Sequence, residues 1–419
     1  MRQMKDSGIE WIGEIPKGWE VRKLSTLVTM ESGAPLSSDK IYEHELYPVF
    51  GGNGIRGYTD SYYIDGNFIL IGRQGAQCGN VHITHGKSWV TEHALILKNI
   101  DIINNIFLYF MLSSMDLNQY STSAAQPGLA ASNIKKKYVC IPPLMEQQRI
   151  ADYLDAKCAH IDQCQELTRQ SMEKLHAYKL SCITEAVTKG LDPDVPLKDS
   201  GVPWIGQIPA GWSLTLIGRH VDILPGFAFP SSLFNQDKGI KLLRGINLGV
   251  NCVKWDECIY YDENITENLK IFFLKKNDII IGMDRPIISE GLRVAIISDN
   301  DTPSLLVQRV CRLRCKNSMH QKFLFYIIFS EIFKNSIFGA TTGISIPHIS
   351  ATQISNCKSP LPPLPEQERI AAYLDKKCAR IDALLEEKQA LLDKLAEYKK
   401  SLIFECVTGK REVPSCWNR

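Results

Sequence analysis

Pro142-Pro143-Leu144-Met145-Glu146-Gln147-Gln148-Arg149-Ile150-Ala151-Asp152-Tyr153-Leu154-Asp155 returns 220 residues later as Pro362-Pro363-Leu364-Pro365-Glu366-Gln367-Glu368-Arg369-Ile370-Ala371-Ala372-Tyr373-Leu374-Asp375. Between Pro142 and Asp162, 16 of 21 positions match their counterparts, and the correspondence runs without a gap to Val187-Thr188 and Val407-Thr408. The chain contains itself twice. In the second copy Leu374, Cys378, Ile381, Leu385, Leu392, Leu395 and Leu402 follow alternating steps of four and three, with Lys388 and Lys399 at the remaining seam positions. The first copy keeps Leu154, Cys158, Ile161, Met172, Leu175 and Cys182 in that register, with more polar interruptions. Past the opening prolines neither copy has a Pro or Gly before Val187 or Val407. Each is therefore predicted to be one helix of about 40 residues, about 60 Å long. A helix that long with a narrow apolar seam needs a partner, and the other copy supplies it. Leu154, Ile161, Leu175, Leu374, Ile381, Leu385, Leu392 and Leu395 are the expected packing residues.

A second repeat lies upstream of each helix. Asp6-Ser7-Gly8-Ile9-Glu10-Trp11-Ile12-Gly13-Glu14-Ile15-Pro16-Lys17-Gly18-Trp19 recurs as Asp199-Ser200-Gly201-Val202-Pro203-Trp204-Ile205-Gly206-Gln207-Ile208-Pro209-Ala210-Gly211-Trp212, at an offset of 193 rather than 220. The chain is thus two tandem units, each a leader, a variable insert and a long helix, and the second insert is 27 residues longer. Trp11, Trp19, Trp204 and Trp212 could form a stacking surface for bases. The preferred reading is that they anchor the leader against its own unit, because what is duplicated should be frame. The expected segmentation is 1–140, 141–198, 199–360 and 361–419.

The inserts read as short strands cut by glycine turns, with a helix near Ile103 to Met111. In the first, Tyr47-Pro48-Val49-Phe50 leads into Gly51-Gly52-Asn53-Gly54-Ile55-Arg56-Gly57-Tyr58, and Asn67-Phe68-Ile69-Leu70-Ile71-Gly72-Arg73-Gln74-Gly75 follows. The glycine loop lacks the lysine and hydroxyl of a phosphate-binding P-loop, and turn geometry accounts for its glycines. In the second, Leu242-Leu243-Arg244-Gly245-Ile246-Asn247, Asn277 to Arg285, and Leu306-Val307-Gln308-Arg309-Val310 have the same style. An apolar strand delivers a glycine and then polar groups at Gly282 to Arg285, as it does at Gly72 to Gln74. Arg pairs bidentately with guanine and Gln with adenine in a major groove. Arg56, Arg73, Gln74, Arg244, Asn247 and Arg285 are accordingly the candidate DNA-contacting residues, with a solvated loop end as the alternative for each. Arg309 is read as an outward-facing residue of an alternating strand, and Lys135-Lys136-Lys137 as a solvated face rather than a phosphate contact.

Composition narrows the classes. At 419 residues more than one core is expected. No apolar run reaches the roughly 18 residues of a membrane span, and Met1 to Asp6 opens no secretory signal, so a cytoplasmic protein is expected. Thirteen cysteines include no C-x-x-C pair and no zinc spacing, which points to reduced, structural thiols and no metal. Net charge is only +2, but residues 213–360 hold 17 Lys/Arg against 13 Asp/Glu, while 20–140 balance at 10 and 10. No methyltransferase, Walker A, H-E-x-x-H, G-x-S-x-G or nuclease motif can be placed, so no catalytic residue is assigned.

Two unlike inserts on two like frames suit a protein that reads a two-part sequence, because DNA half-sites one turn apart lie on one face of the duplex. The W-I-G-x-I-P-x-G-W leaders, the P-P-L-x-E-Q-x-R-I-A-x-Y-L-D helix starts, the helix ends Glu185 to Thr188 and Glu405 to Thr408, and the phrases Pro48 to Tyr58 and Leu242 to Asn247 together resemble the DNA-specificity subunits of type I restriction-modification systems. The resemblance covers nearly the whole chain. It implies an α+β fold with two mixed α/β target-recognition domains separated by two long antiparallel coiled-coil helices, in a tandem pseudo-two-fold repeat. It further implies double-stranded DNA, two modification subunits and, through them, restriction subunits as partners. S-adenosylmethionine, Mg and ATP would belong to those partners, which would methylate adenine N6 and cut, with no cofactor in this chain. The alternatives are a stand-alone DNA-modifying enzyme, which lacks a catalytic constellation, and a coiled-coil adaptor, which leaves the glycine-punctuated inserts unexplained.

Overall fold

In the computed structural model, which describes residues 2–414 apart from 76–77, 101, 122–127, 264, 289–290 and 340–347, the chain divides into two compact units. The first comprises Met1–Arg169 and Lys388–Arg419, the second Gln170–Glu387. Each duplicated stretch is one continuous helix, Leu144–Lys189 of 46 residues and Leu364–Val407 of 44. The prolines fall before or within the first turn, where the backbone N–H groups have no intrahelical partner to lose.

Each unit is built from the start of one long helix and the end of the other. In the first unit Ile150, Leu154, Cys158 and Ile161 share a core with Leu402, Cys406 and Val407, so start meets end and the pair is antiparallel. In the second unit the roles exchange, with Ile370, Leu374 and Cys378 against Ile183, Ala186 and Val187. The ion pairs exchange likewise. Lys399 donates to both Asp162 oxygens at 2.5 and 2.8 Å, and Lys179 to both Asp382 oxygens at 2.6 and 2.7 Å. Along the seam Leu154, Ile161, Leu374, Ile381 and Leu392 are buried, while Leu175, Leu385 and Leu395 are half-buried. Burial pushes the matched thiols Cys158 and Cys378 both up to about 11, as expected of small hydrophobes in a seam.

The polar residues of the repeated motif staple the frame. Trp19 and Trp212 are buried, and their indole N–H groups donate to Glu146 at 3.2 Å and Glu366 at 3.0 Å. Gln147 accepts from the Asn104 amide at 2.7 Å and donates to the Pro142 carbonyl at 2.9 Å. Gln367 repeats this with His320 at 2.7 Å and Pro362 at 2.9 Å. One glutamate thus fastens the leader and one glutamine fastens the short insert helix, Asn105–Ser113 or Gln321–Phe329, to the long helix. The outer tryptophans differ: Trp11 packs on Phe404, whereas Trp204 stands 43% exposed.

Each unit carries two four-stranded sheets. The first sheet has the order Val28–Ser32, Ala94–Asn99, Ile69–Gly72, Val81–Ile83 in one unit and Val221–Pro225, Val310–Cys315, Ile279–Gly282, Val294–Ile296 in the other. Its registers correspond pair by pair: Ile69 lies opposite Leu97 and Ile279 opposite Leu313, Gly72 opposite Ala94 and Gly282 opposite Val310. The central strands are apolar throughout because both faces are covered. Ile69 and Ile71 face the helices and Leu70 the second sheet, and Ile279, Ile281 and Ile280 divide the same way.

The second sheets share three strands and differ at the edge. Tyr47–Gly51 and Ile240–Leu243 each pair in parallel with the strand that follows the hairpin, Lys87–Val90 or Ser304–Leu306. The fourth strand is Ile64–Asp65 in the first unit and Phe234–Asn235 in the second, at opposite edges. Most of the extra length enters here. Between equivalent residues the offset rises from 193 at Val28 and Val221 to 210 at Ile69 and Ile279, then to 220 at Tyr138 and Lys358.

Candidate nucleic-acid interface

The first sheet ends, in both units, in the same backbone cradle. In the first unit the Arg73 amide donates to the His93 carbonyl at 3.0 Å, and the Arg73 carbonyl accepts from Leu129 at 2.8 Å. In the second unit the Met283 amide donates to Arg309 at 2.9 Å, and the Met283 carbonyl accepts from Ile349 at 2.7 Å. The next residue, Gln74 or Asp284, forms an isolated bridge to Gly128 or His348. These bonds fix where the following side chains emerge, whatever they are.

The side chains differ completely. Gln74 is exposed and its amide oxygen lies 2.6 Å from His93 Nδ1. Asp284 instead holds two basic groups, His348 Nδ1 at 2.6 Å and Arg309 Nε at 3.2 Å. Gly75 has φ +86°, and its counterpart Arg285 keeps the left-handed region at +43° with an exposed side chain.

Of the six residues expected at the interface, Arg73, Gln74 and Arg285 sit on these cradles. Arg73 is half-buried, and its guanidinium donates to Ser32 Oγ at 2.7 Å. Arg56 is exposed on the strand Gly54–Thr59 of the second sheet. The hairpin leading to it lies against the cradle: a Cβ on Gly52 would come within 3.1 Å of the Gln74 carbonyl and 3.2 Å of the His93 carbonyl. Arg244 is half-buried and donates to the Glu257 carbonyl at 2.7 Å, while its Nε is buried with no partner among the described residues.

Asn247 departs from the expectation. It is 1% exposed; its amide donates to the Lys254 and Glu257 carbonyls at 3.0 and 3.2 Å, and its oxygen accepts from the Arg244 amide at 3.2 Å. Its hydrogen-bonding capacity is spent on its own loop, so it positions Arg244 rather than offering groups outward. Arg309 departs too: the run from Leu306 to Val310 is two strands with a turn between them, and Arg309 occupies that turn at φ +69°. Its side chain is 71% exposed beside Asp284. His93 and His348 carry no signal in the sequence, because each joins the cluster only through strand pairing, whereas Asp284 stands in the polar run after Gly282. The parallel between Gly72 and Gly282 makes Asp284 the equivalent of Gln74 but does not reach the two histidines.

The basic surplus of the second insert is partly internal. Arg312 pairs with Asp222 at 2.5 Å with only 5% of its side chain exposed, and Arg314 donates twice to buried Asp278 at 2.7 Å. Lys137 lies over the Tyr120 ring at 3.5 Å rather than standing free in solvent. Among the described residues no group of His, Cys, Asp and Glu could hold a metal ion, and no helix is long and apolar enough to cross a membrane.

A duplicated frame thus presents two chemically different polar cradles held by equivalent backbone hydrogen bonds. The chain matches the family described as type I restriction modification DNA specificity domain over residues 16–177 and 228–394, and it belongs to that family. It is 27% identical over 381 residues to the type I restriction enzyme MjaVIII specificity subunit of Methanocaldococcus jannaschii, covering 86% of each chain. It is 41% identical over 138 residues to the type I restriction enzyme EcoprrI specificity subunit of Escherichia coli, which is 32% of this chain and 34% of that one. A chain from a structure of complex assembly in the type I restriction-modification system shares the fold with a TM-score of 0.70 at 16% identity, over 95% of this chain and 99% of that one. The HsdS subunit of Thermoanaerobacter tengcongensis does so at 0.50 and 16%, over 95% and 98%.

Proposed function

We propose that this chain reads a two-part, asymmetric DNA target for a type I restriction-modification complex, and that it directs adenine methylation and cleavage by partner subunits without catalysing either. The observation that carries the reading is the pair of cradles, where one hydrogen-bonded backbone presents unlike side chains. A protein that must recognise two different short sequences needs that division. Residues 1–140 and 199–360 would be the two reading domains with their leaders, and 141–198 and 361–419 the helical spacers.

Arg56, Arg73 and Gln74 would serve one half of the target and Arg244 and Arg285 the other, through the major-groove donor and acceptor pattern. Two modification subunits, and restriction subunits through them, would dock on the long helices. Tyr178 and Leu384 in the second unit, and Leu391 and Tyr398 in the first, are exposed there and offer the apolar area a partner helix would cover.

The test is to co-express the chain with its modification subunit in a methylation-free host and map N6-methyladenine across the genome by single-molecule sequencing. A two-part motif with unlike halves and a constant gap is the expected result. An assembled complex that methylates no such motif would overturn the proposal.

A further inference from the structure

The two cradles share their backbone hydrogen bonds and present different groups outward, among them Gln74 against Asp284, Gly75 against Arg285, His93 against Arg309, and Gly128 against His348. In the second unit two of these are arginines in left-handed backbone, Arg285 at φ +43° and Arg309 at +69°, and of their counterparts Gly75 shares that conformation and His93 does not. That region is disfavoured for a side chain carrying Cβ, and the first unit answers the same geometry at Gly75 with a glycine. Arginine where glycine is the relaxed choice marks a side chain retained for what it contacts.

The chemistry of the cluster narrows that contact. Asp284 divides its oxygens, Oδ1 to His348 and Oδ2 to Arg309. The pairing uses the Nε edge of Arg309, which turns the Nη edge of a planar five-donor fork away from the carboxylate. A forked donor held this way matches the O6 and N7 acceptors of guanine in the major groove. In the first cradle the Arg73 guanidinium donates to Ser32 Oγ, and the position of Asp284 is taken by Gln74, whose amide matches adenine.

We propose that Asp284 and Arg309 determine the base preference of the second half of the target, Arg309 donating to a guanine and Asp284 positioning it, with Arg285 flanking. This rests on the two-part reading above, and the experiment separates the two. The same methylation mapping is run on wild type, Arg309→Ala, Arg309→Lys, Asp284→Asn and Asp284→Glu, with co-purification of the modification subunit confirming assembly of each.

The expected outcome is a guanine in one half of the wild-type motif. Arg309→Ala and Arg309→Lys should relax that one base pair by about tenfold or more in relative methylation, because Lys keeps charge but lacks the fork. The other half should be unchanged. Asp284→Asn should relax the same base pair, and Asp284→Glu should restore part of the preference, which a purely structural carboxylate would not do.

A wild-type two-part motif that stays identical in Arg309→Lys and Asp284→Asn would overturn the proposal and leave the function standing. A uniform loss of methylation, with no change of base preference, would also overturn it by marking a phosphate contact. No two-part motif from wild type would overturn both readings.

Discussion

The cradle of the first unit and that of the second are held by the same pair of backbone hydrogen bonds, Arg73 and Met283 each bonded on both sides within 3.0 Å. The polar groups they present outward differ, Gln74 beside His93 in one and Asp284 beside Arg309 and His348 in the other. Elsewhere the repeats behave the opposite way, since Trp19 and Trp212, Glu146 and Glu366, and Gln147 and Gln367 keep both identity and partner. The difference teaches where the fold stores its stability. Buried, satisfied groups hold the frame, whereas exposed side chains at the strand ends such as Gln74 and Arg285 are free to vary.

The sharpest way to break that equivalence is at Gly33 and Gly226, which begin the same crossing in each unit. A Cβ there would lie 2.4 Å from the Thr91 carbonyl and 2.0 Å from the Val307 carbonyl, closer than any side chain tolerates. Gly33→Ala and Gly226→Ala should each cost about 3 kcal/mol, because backbone must shift. Urea unfolding reads this, and tolerance in one unit alone would show that the crossings are not equivalent.

Next in size come the staples. Gln147→Ala and Gln367→Ala each strand a part-buried amide and a buried carbonyl, a loss of about 2 kcal/mol apiece. Equal losses by chemical denaturation would support the shared frame, and hydrogen exchange should localise each loss to its own unit.

A smaller contrast should appear at the turn itself. Gly75→Ala should cost about 1 kcal/mol for left-handed backbone alone, since nothing lies within 4 Å of its Cβ position. Arg285→Gly should instead stabilise by about 0.5 kcal/mol. Matched melting curves would show the opposite signs, and a destabilising Arg285→Gly would mean that the arginine serves the fold. Smallest of all are Asp162→Ala and Asp382→Ala, each expected to change stability by less than about 0.5 kcal/mol, because both pairs reach solvent. A large loss at either would assign these ion pairs a specifying role that their exposure does not suggest.

Much of this architecture is legible without coordinates, for definite reasons. The seam from Leu374 to Leu402 has one period, and no Pro or Gly interrupts it, so only a long helix fits. The repeated leader announced a frame, and Trp19 and Trp212 serve it. The inserts were less legible because their offset drifts through 193, 210 and 220, so no single shift aligns them. Arg309 faces outward as its sequence context indicates, but from a tight turn rather than a strand, because the run Leu306 to Val310 looks like one strand when a turn divides it. Asn247 looked like an outward donor because its partners, Lys254 and Glu257, are carbonyls, which no side-chain pattern reveals.

The exchange of helix ends also bears on biosynthesis. Residues 170–387 form a contiguous stretch, so the second unit can close as soon as that stretch has emerged from the ribosome. The first unit begins to be made earlier, yet its core includes Leu402, Cys406 and Val407, which follow the whole of the second unit in the chain. The unit translated first is therefore completed last, and until then Leu154, Cys158 and Ile161 present an uncovered apolar face. A ribosome stalled before residue 388 would display a finished second unit beside an open first one.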